Sequence, residues 1–126
     1  MSTTEVQAFQ DASGEIPIQA WLNGLRRSNP KAYRKCLARI LELAEQGNAM
    51  RRPHADYLRD GIYELRASLS RVHYRIRYFF FGKNVVAVSH GITKEGEVPP
   101  KEIELSITRM KLVKKSPAKY TANFNI

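Results

Sequence analysis

The stretch ELRASLSRVHYRIRYFFF, residues 64–81, alternates apolar and polar residues twice in succession. Alternation with a period of two fits a pleated strand with one buried face and does not fit a helix. In the second run Val72, Tyr74, Ile76, Tyr78 and Phe80 share one side, with Arg71, His73, Arg75 and Arg77 on the other. In the first run, over 62–69, Tyr63, Leu65, Ala67 and Leu69 oppose Glu64 and Arg66. Two such runs in tandem predict an antiparallel pair whose apolar side needs a covering layer. The row of cations on the other side is either a solvated face or a site for a polyanion.

The covering layer is written upstream. Pro17 suits the first turn of a helix, and Ile18, Trp21, Leu22 and Leu25 recur at helical spacing, predicting a helix over 17–27. Ser28 or Asn29 can cap a second helix that starts at Pro30 and runs to 46. Its apolar stripe is Tyr33, Leu37, Ile40, Leu41 and Ala44, and Gly47 suits the position just past its end. So short a link makes the pair a helical hairpin.

Residues 3–10 read as a first strand, 11–14 as a turn and 51–54 as a linker. Asp60-Gly61 is a turn signal, and 82–84 is a hairpin turn into a third strand, NVVAVSH, over 84–90. A loop over 91–100 then leads into a last helix over 100–115, with Ile103, Ile107 and Met110 on one face. The predicted order is β-αα-βββ-α: an α+β fold with a helical hairpin packed on one face of an antiparallel sheet. The other face stays open and carries the cations. The expected division is one domain over 1–116 and a C-terminal tail over 117–126.

Charge narrows what the open face can do. The 126 residues carry 21 Lys and Arg against 12 Asp and Glu, a formal charge of +9, which favours an anionic partner. One cysteine, Cys36, excludes an intramolecular disulfide, and it falls in a helical pattern as a small core residue. That cysteine and three scattered histidines make no metal-ligand spacing, so no metal or cofactor is expected. The sequence has no apolar run of membrane-spanning length, and MSTTEVQAFQ lacks the form of a signal peptide. A cytoplasmic protein without a membrane partner is the expectation.

Arginine suits a phosphodiester because its guanidinium stays protonated and its planar fork matches phosphate oxygens. Adjacent strands bring Arg66, His73, Arg75 and Arg77 onto one surface, and Lys94, just after the third strand, sits where a loop can fold over it. Tyr63, Tyr74 and Tyr78 either stack a base or belong to the core. The last helix, with Lys101 and Arg109, is either a landing strip for RNA or simply solvated. Glu64 is either a general base or a partner that holds Arg66 or Arg75 in place. His73 and His90 have the ring for proton transfer, whereas His54 stands in the linker.

Four segments taken in order carry a resemblance: LELAEQGN (41–48), YLRDGIYELR (57–66), YRIRYFF (74–80) and HGITKEGEVPPKEIELS (90–106). Over roughly residues 3–115 the chain resembles the RelE superfamily of toxins from toxin–antitoxin modules, in its phage-derived HigB-like branch. The resemblance implies a RelE-like fold and a metal-independent endoribonuclease acting on mRNA, often on the ribosome. By position it implies catalytic roles for Arg66, Arg75 and Lys94, with Arg75 at the scissile phosphate. Arg77, His73, Lys101 and Arg109 are the expected RNA-binding residues around them. It also implies a small helix-turn-helix antitoxin as partner. The pattern's first lysine after the third strand is Thr93 here, and its tyrosine near the last helix falls at Pro99-Pro100, so the match assigns no proton-transfer residue. The rival readings are a non-catalytic module that binds RNA or the ribosome, and a protein whose basic face only receives an acidic antitoxin.

Overall fold

A computed structural model describes residues 3–94 and 99–124. The chain order is β1 (Glu5–Phe9), α1 (Pro17–Ser28), α2 (Pro30–Gln46), a 3-10 turn (Gly47–Ala49), β2 (Ala55–Arg59), β3 (Ile62–Leu69), β4 (Val72–Gly82), β5 (Val85–Lys94), α3 (Pro100–Lys115), α4 (Pro117–Tyr120) and β6 (Thr121–Asn123). The strands form one sheet in the order β2-β3-β4-β5-β1-β6.

Two differences from the predicted fold matter for the site. The sheet is mixed, because β1 pairs with β5 in parallel while its other ladders are antiparallel. The order also includes β2, which occupies part of the segment between the helices and β3. The sequence ADYLR before Asp60-Gly61 supplies the other arm of a two-residue hairpin, with both turn residues at positive φ (51° and 85°). After Pro117, α4 and β6 follow, and β6 pairs with β1 at the far edge. The segment expected as a loop over 91–100 is strand as far as Lys94, and 95–98 lie outside the described residues.

On one face α1 and α2 bury Ile18, Leu22, Cys36, Ile40 and Leu43 against Leu65, Tyr74, Ile76, Tyr78, Val86 and Val88. Asn29 does both jobs at the junction. Its N–H donates to the Leu25 carbonyl, ending α1, and its side chain accepts from the Ala32 N–H at 3.2 Å, starting α2. Gly47 ends α2 at φ 56° as expected. Burial pushes the Cys36 thiol up to about 12, so the lone cysteine is a core residue and not a nucleophile. Tyr74 and Tyr78 are core residues, with Tyr63 stacked on Tyr78 at 5.3 Å between ring centroids.

The second face is open only in part. Met110 and Val113 of α3, flanked by Ile107, pack on Phe9, Ile62, Phe79 and Ala87. This follows from the end of β4: in YFFF both strand faces are aromatic, so each needs a cover. The face of β4 that begins with exposed His73 becomes buried at Arg77 and apolar at Phe79.

Gly91 allows the close approach of α1. A Cβ there would overlap the Trp21 ring. Gly91→Ala is therefore expected to cost about 1–3 kcal/mol through overpacking, read as a lower urea midpoint at unchanged slope.

Candidate functional site

The β3–β4 register sets Arg66 opposite Arg75 and Glu64 opposite Arg77. Like charges directly opposite each other destabilise a ladder unless something lies between them. Here the Glu64 carboxylate does so. Its Oε2 accepts from Arg66 Nε at 3.0 Å and from Arg75 Nη1 at 3.2 Å, and its Oε1 accepts from Arg77 Nε at 3.2 Å. Glu64 is fully buried and Arg77 nearly so, whereas the Arg66 and Arg75 side chains are 34% and 25% exposed. A second carboxylate, Asp56 of β2, accepts from Arg66 Nη2 at 3.2 Å and from Arg52 Nη2 at 2.9 Å. Four guanidiniums thus share two carboxylates, and the cluster keeps an excess of positive charge.

That excess faces two concavities, both lined by Arg66 and Arg75. One, of about 400 Å³, lies against α3 and is also lined by Leu58, Glu64, Arg77, Pro100 and Ile103. The other, of about 440 Å³, lies at the end of β3 beyond its pairing with β2, where Arg39, His54 and His73 join the two arginines. Two buried guanidinium N–H groups in this cluster, Arg75 Nε and Arg77 Nη1, have no acceptor among the described residues. Buried donors without acceptors are costly, and a phosphate oxygen is the acceptor that a guanidinium matches best.

The remaining expected residues are dispersed. His73 is exposed and its Nδ1 lies 3.1 Å from Ser68 Oγ. Lys94 is the last residue of β5, with its backbone opposite His73, rather than in a loop past the strand; its side chain lies outside the described ones. Lys101 is exposed in the first turn of α3. Arg77 was expected on the open face, but the cover provided by α3 buries it, and burial pulls its guanidinium below the usual range against the pull of Glu64.

Arg109 was expected to bind RNA from a basic face of the last helix. Instead it turns inward, donating to the Ser89 carbonyl and to His90 Nδ1, each at 3.2 Å, with its guanidinium 4.8 Å from the Phe9 ring centre. Because Arg109 can only donate, His90 Nδ1 must accept, so the ring proton sits on Nε2 and is donated to Glu102 at 3.1 Å. His90 is a buried, neutral strut between β5 and α3. Burial first, and Arg109 second, lower its pKa to about 4.

Sequence reasoning named Glu64 as a possible brace without seeing that it serves three arginines. It missed Asp56 and Arg52, because reading 51–54 as a linker hid the start of β2. The alternation in ADYLR was the signal that could have found Asp56, which pairs directly opposite Glu64.

The family model described as phage-derived protein Gp49-like matches residues 21–111. The chain belongs to this Gp49-like family. The family is associated with the toxins of toxin–antitoxin modules. The match spans β2 to β5 and most of α3, so it contains the Glu64–Arg66–Arg75–Arg77 cluster of this Gp49-like chain. No curated protein matches it.

Two expectations follow. Glu64→Ala leaves three guanidiniums without their shared acceptor and should cost roughly 3–5 kcal/mol, seen as a large fall in the thermal midpoint. His90, with a folded pKa of about 4 against the ordinary imidazole value of 6.5, binds a proton more readily when unfolded. Its contribution is complete above about pH 6.5 and is lost as pH falls towards 4. Urea midpoints should decline over that window, and His90→Gln should flatten the decline while lowering stability at pH 7.

Proposed function

We propose that this Gp49-like chain is an endoribonuclease toxin of the RelE/HigB type, cleaving mRNA without a metal and in association with the ribosome. The observation that carries the reading is the Glu64 cluster: Arg66 and Arg75, held by one buried carboxylate, line two adjacent pockets and keep donors to spare. Cleavage by the neighbouring 2′-OH forms a phosphorane with added negative charge, and fixed guanidiniums stabilise that charge more than they stabilise the ground state. In this reading Arg75 meets the scissile phosphate, Arg66 shares its charge, and Lys94 assists neutralisation or docking. His73 and Lys101 hold flanking RNA, while Arg77 braces Glu64 from beneath α3 and Arg109 fastens α3 to β5. The products are a 2′,3′-cyclic phosphate, or a 3′-phosphate after its hydrolysis, and a 5′-OH. The cognate antitoxin, a small helix-turn-helix protein, would neutralise the toxin.

The direct test incubates programmed ribosomes, and separately free RNA, with purified protein in EDTA. Wild type should cut ribosome-bound mRNA, and Arg75→Ala should lower the rate by about 10²–10³-fold, the usual cost of losing one donor to developing charge. Tight, salt-dependent binding without products from folded protein would replace this reading with that of a non-catalytic RNA-binding module.

A further inference from the structure

The pocket at the end of β3 holds a pair of groups that the arginine chemistry leaves without a role. At Arg66 the outer edge of β3 is met by other backbone and side-chain groups. The Arg66 N–H donates to the His54 carbonyl at 2.8 Å, and the Arg66 carbonyl accepts from Arg39 Nε at 3.0 Å. These two bonds fix His54 and Arg39 beside the arginine pair. His54 Nδ1 then lies 3.0 Å and 2.9 Å from the two oxygens of Glu42 on α2. Arg39 Nη1 holds the same carboxylate at 3.4 Å.

A carboxylate only accepts hydrogen bonds, so this contact keeps the imidazole proton on Nδ1. In the neutral ring that places the lone pair on Nε2, for which no hydrogen-bond partner occurs among the described residues. The His54 side chain is 38% exposed and lines the pocket of about 440 Å³ together with Arg66, Arg75 and His73. A pocket of that size is in the range of small-molecule sites and can admit a nucleotide. An acceptor nitrogen of fixed tautomer, in the same pocket as two phosphate-binding arginines, is the arrangement that proton removal from a ribose hydroxyl requires.

We propose that His54 is the general base of the cleavage reaction and Glu42 its positioning residue. The assignment rests on the endoribonuclease reading. His54 Nε2 takes the 2′-OH proton as the 2′-oxygen bonds to phosphorus. The P–O5′ bond then breaks, and the 5′-oxygen leaves with a proton drawn from water. Arg66 and Arg75 carry the charge of the phosphorane between these events. The proton on His54 returns to solvent, so the enzyme is unchanged and the products are the cyclic phosphate and the 5′-OH.

The groups facing His54 are Glu42 and Arg39 from α2, Arg66 from β3, and His73 and Arg75 from β4. His73 is therefore the competing candidate, and the experiment separates the two. Single-turnover cleavage of ribosome-bound mRNA is measured against pH for wild type, His54→Ala, His54→Asn, Glu42→Gln and His73→Ala. Binding of a 2′-deoxy-substituted, uncleavable RNA is measured for each. His54→Ala should lower the rate by about 10²–10⁴-fold, keep RNA binding, lose the acid limb of the pH profile, and regain part of its rate with added imidazole. His54→Asn keeps a donor toward Glu42 but has no base, so it should be equally slow and guards against a folding defect. Glu42→Gln should be slowed less and should keep its RNA binding, because the amide oxygen still accepts from Nδ1 but holds the ring less firmly.

The assignment is overturned if both His54 variants bind the uncleavable RNA normally and cleave at the wild-type rate, or if the acid limb disappears with His73→Ala instead. If wild type cleaves and Arg75→Ala does not, such a result removes only His54 from the mechanism. If wild type cleaves neither substrate, the endoribonuclease reading fails and this assignment fails with it.

Discussion

A single carboxylate, that of Glu64, governs how the rest of this molecule is arranged. It is fully buried, and an isolated charge there would be prohibitively costly. Three guanidiniums satisfy it, and in return it lets Arg66 and Arg75 stand directly opposite each other across β3 and β4. One carboxylate does not neutralise three cations. Asp56 on β2 takes up part of the excess, which makes β2 electrostatically as well as structurally part of the site. The remaining positive charge is held in fixed directions by side chains whose own rotation is already restrained, and such preorganisation is what favours developing negative charge.

The second constraint is how far α3 reaches across the sheet. Along one face of β4 the side chains pass from exposed His73, through half-buried Arg75, to buried Arg77 and then Phe79. The arginines therefore run from a half-exposed margin into a low-dielectric interior, where the same charge acts more strongly. The Ser89–His90–Glu102–Arg109 contacts fasten α3 at the buried end of that gradient. The candidate site lies at the margin of the cover, where donors are half shielded from water and a polyanion can still reach them.

Much of this was legible along the chain. The alternation over 62–69 and 72–81 describes β3 and β4, and Pro17, Asn29, Pro30 and Gly47 punctuate α1 and α2, although the stripe expected on α2 included Leu41, which is exposed, and left out Leu43, which is buried. The arginines of the site could be named because period-two alternation sorts residues by face without knowledge of any partner. β2 was obscured because five residues beginning after a Pro-containing, basic stretch give a weak periodic signal, even beside Asp60-Gly61. The parallel placement of β1 beside β5, separated by most of the chain, has no local signature at all. The full role of Glu64 was equally hidden: a glutamate alternating with arginines reads as one more solvated residue until the sheet register brings Arg77 to its other oxygen.

The sequence by itself determined which residues share a strand face, where the two helices begin and end, and that a strongly basic surface would result, because these depend on spacing and on charge. Only the tertiary structure decided which of those cations meet solvent. Arg75 and Arg77 are two residues apart on one face of one strand, yet the first side chain is a quarter exposed and the second is enclosed. The same holds for histidines that look alike in sequence: His90 is locked inside by Arg109 and Glu102, while His54, from what reads as a linker, is carried to the arginines by Glu42 and the edge of β3. Burial and partnership come from elements far apart in the chain, and period and composition contain no term for either.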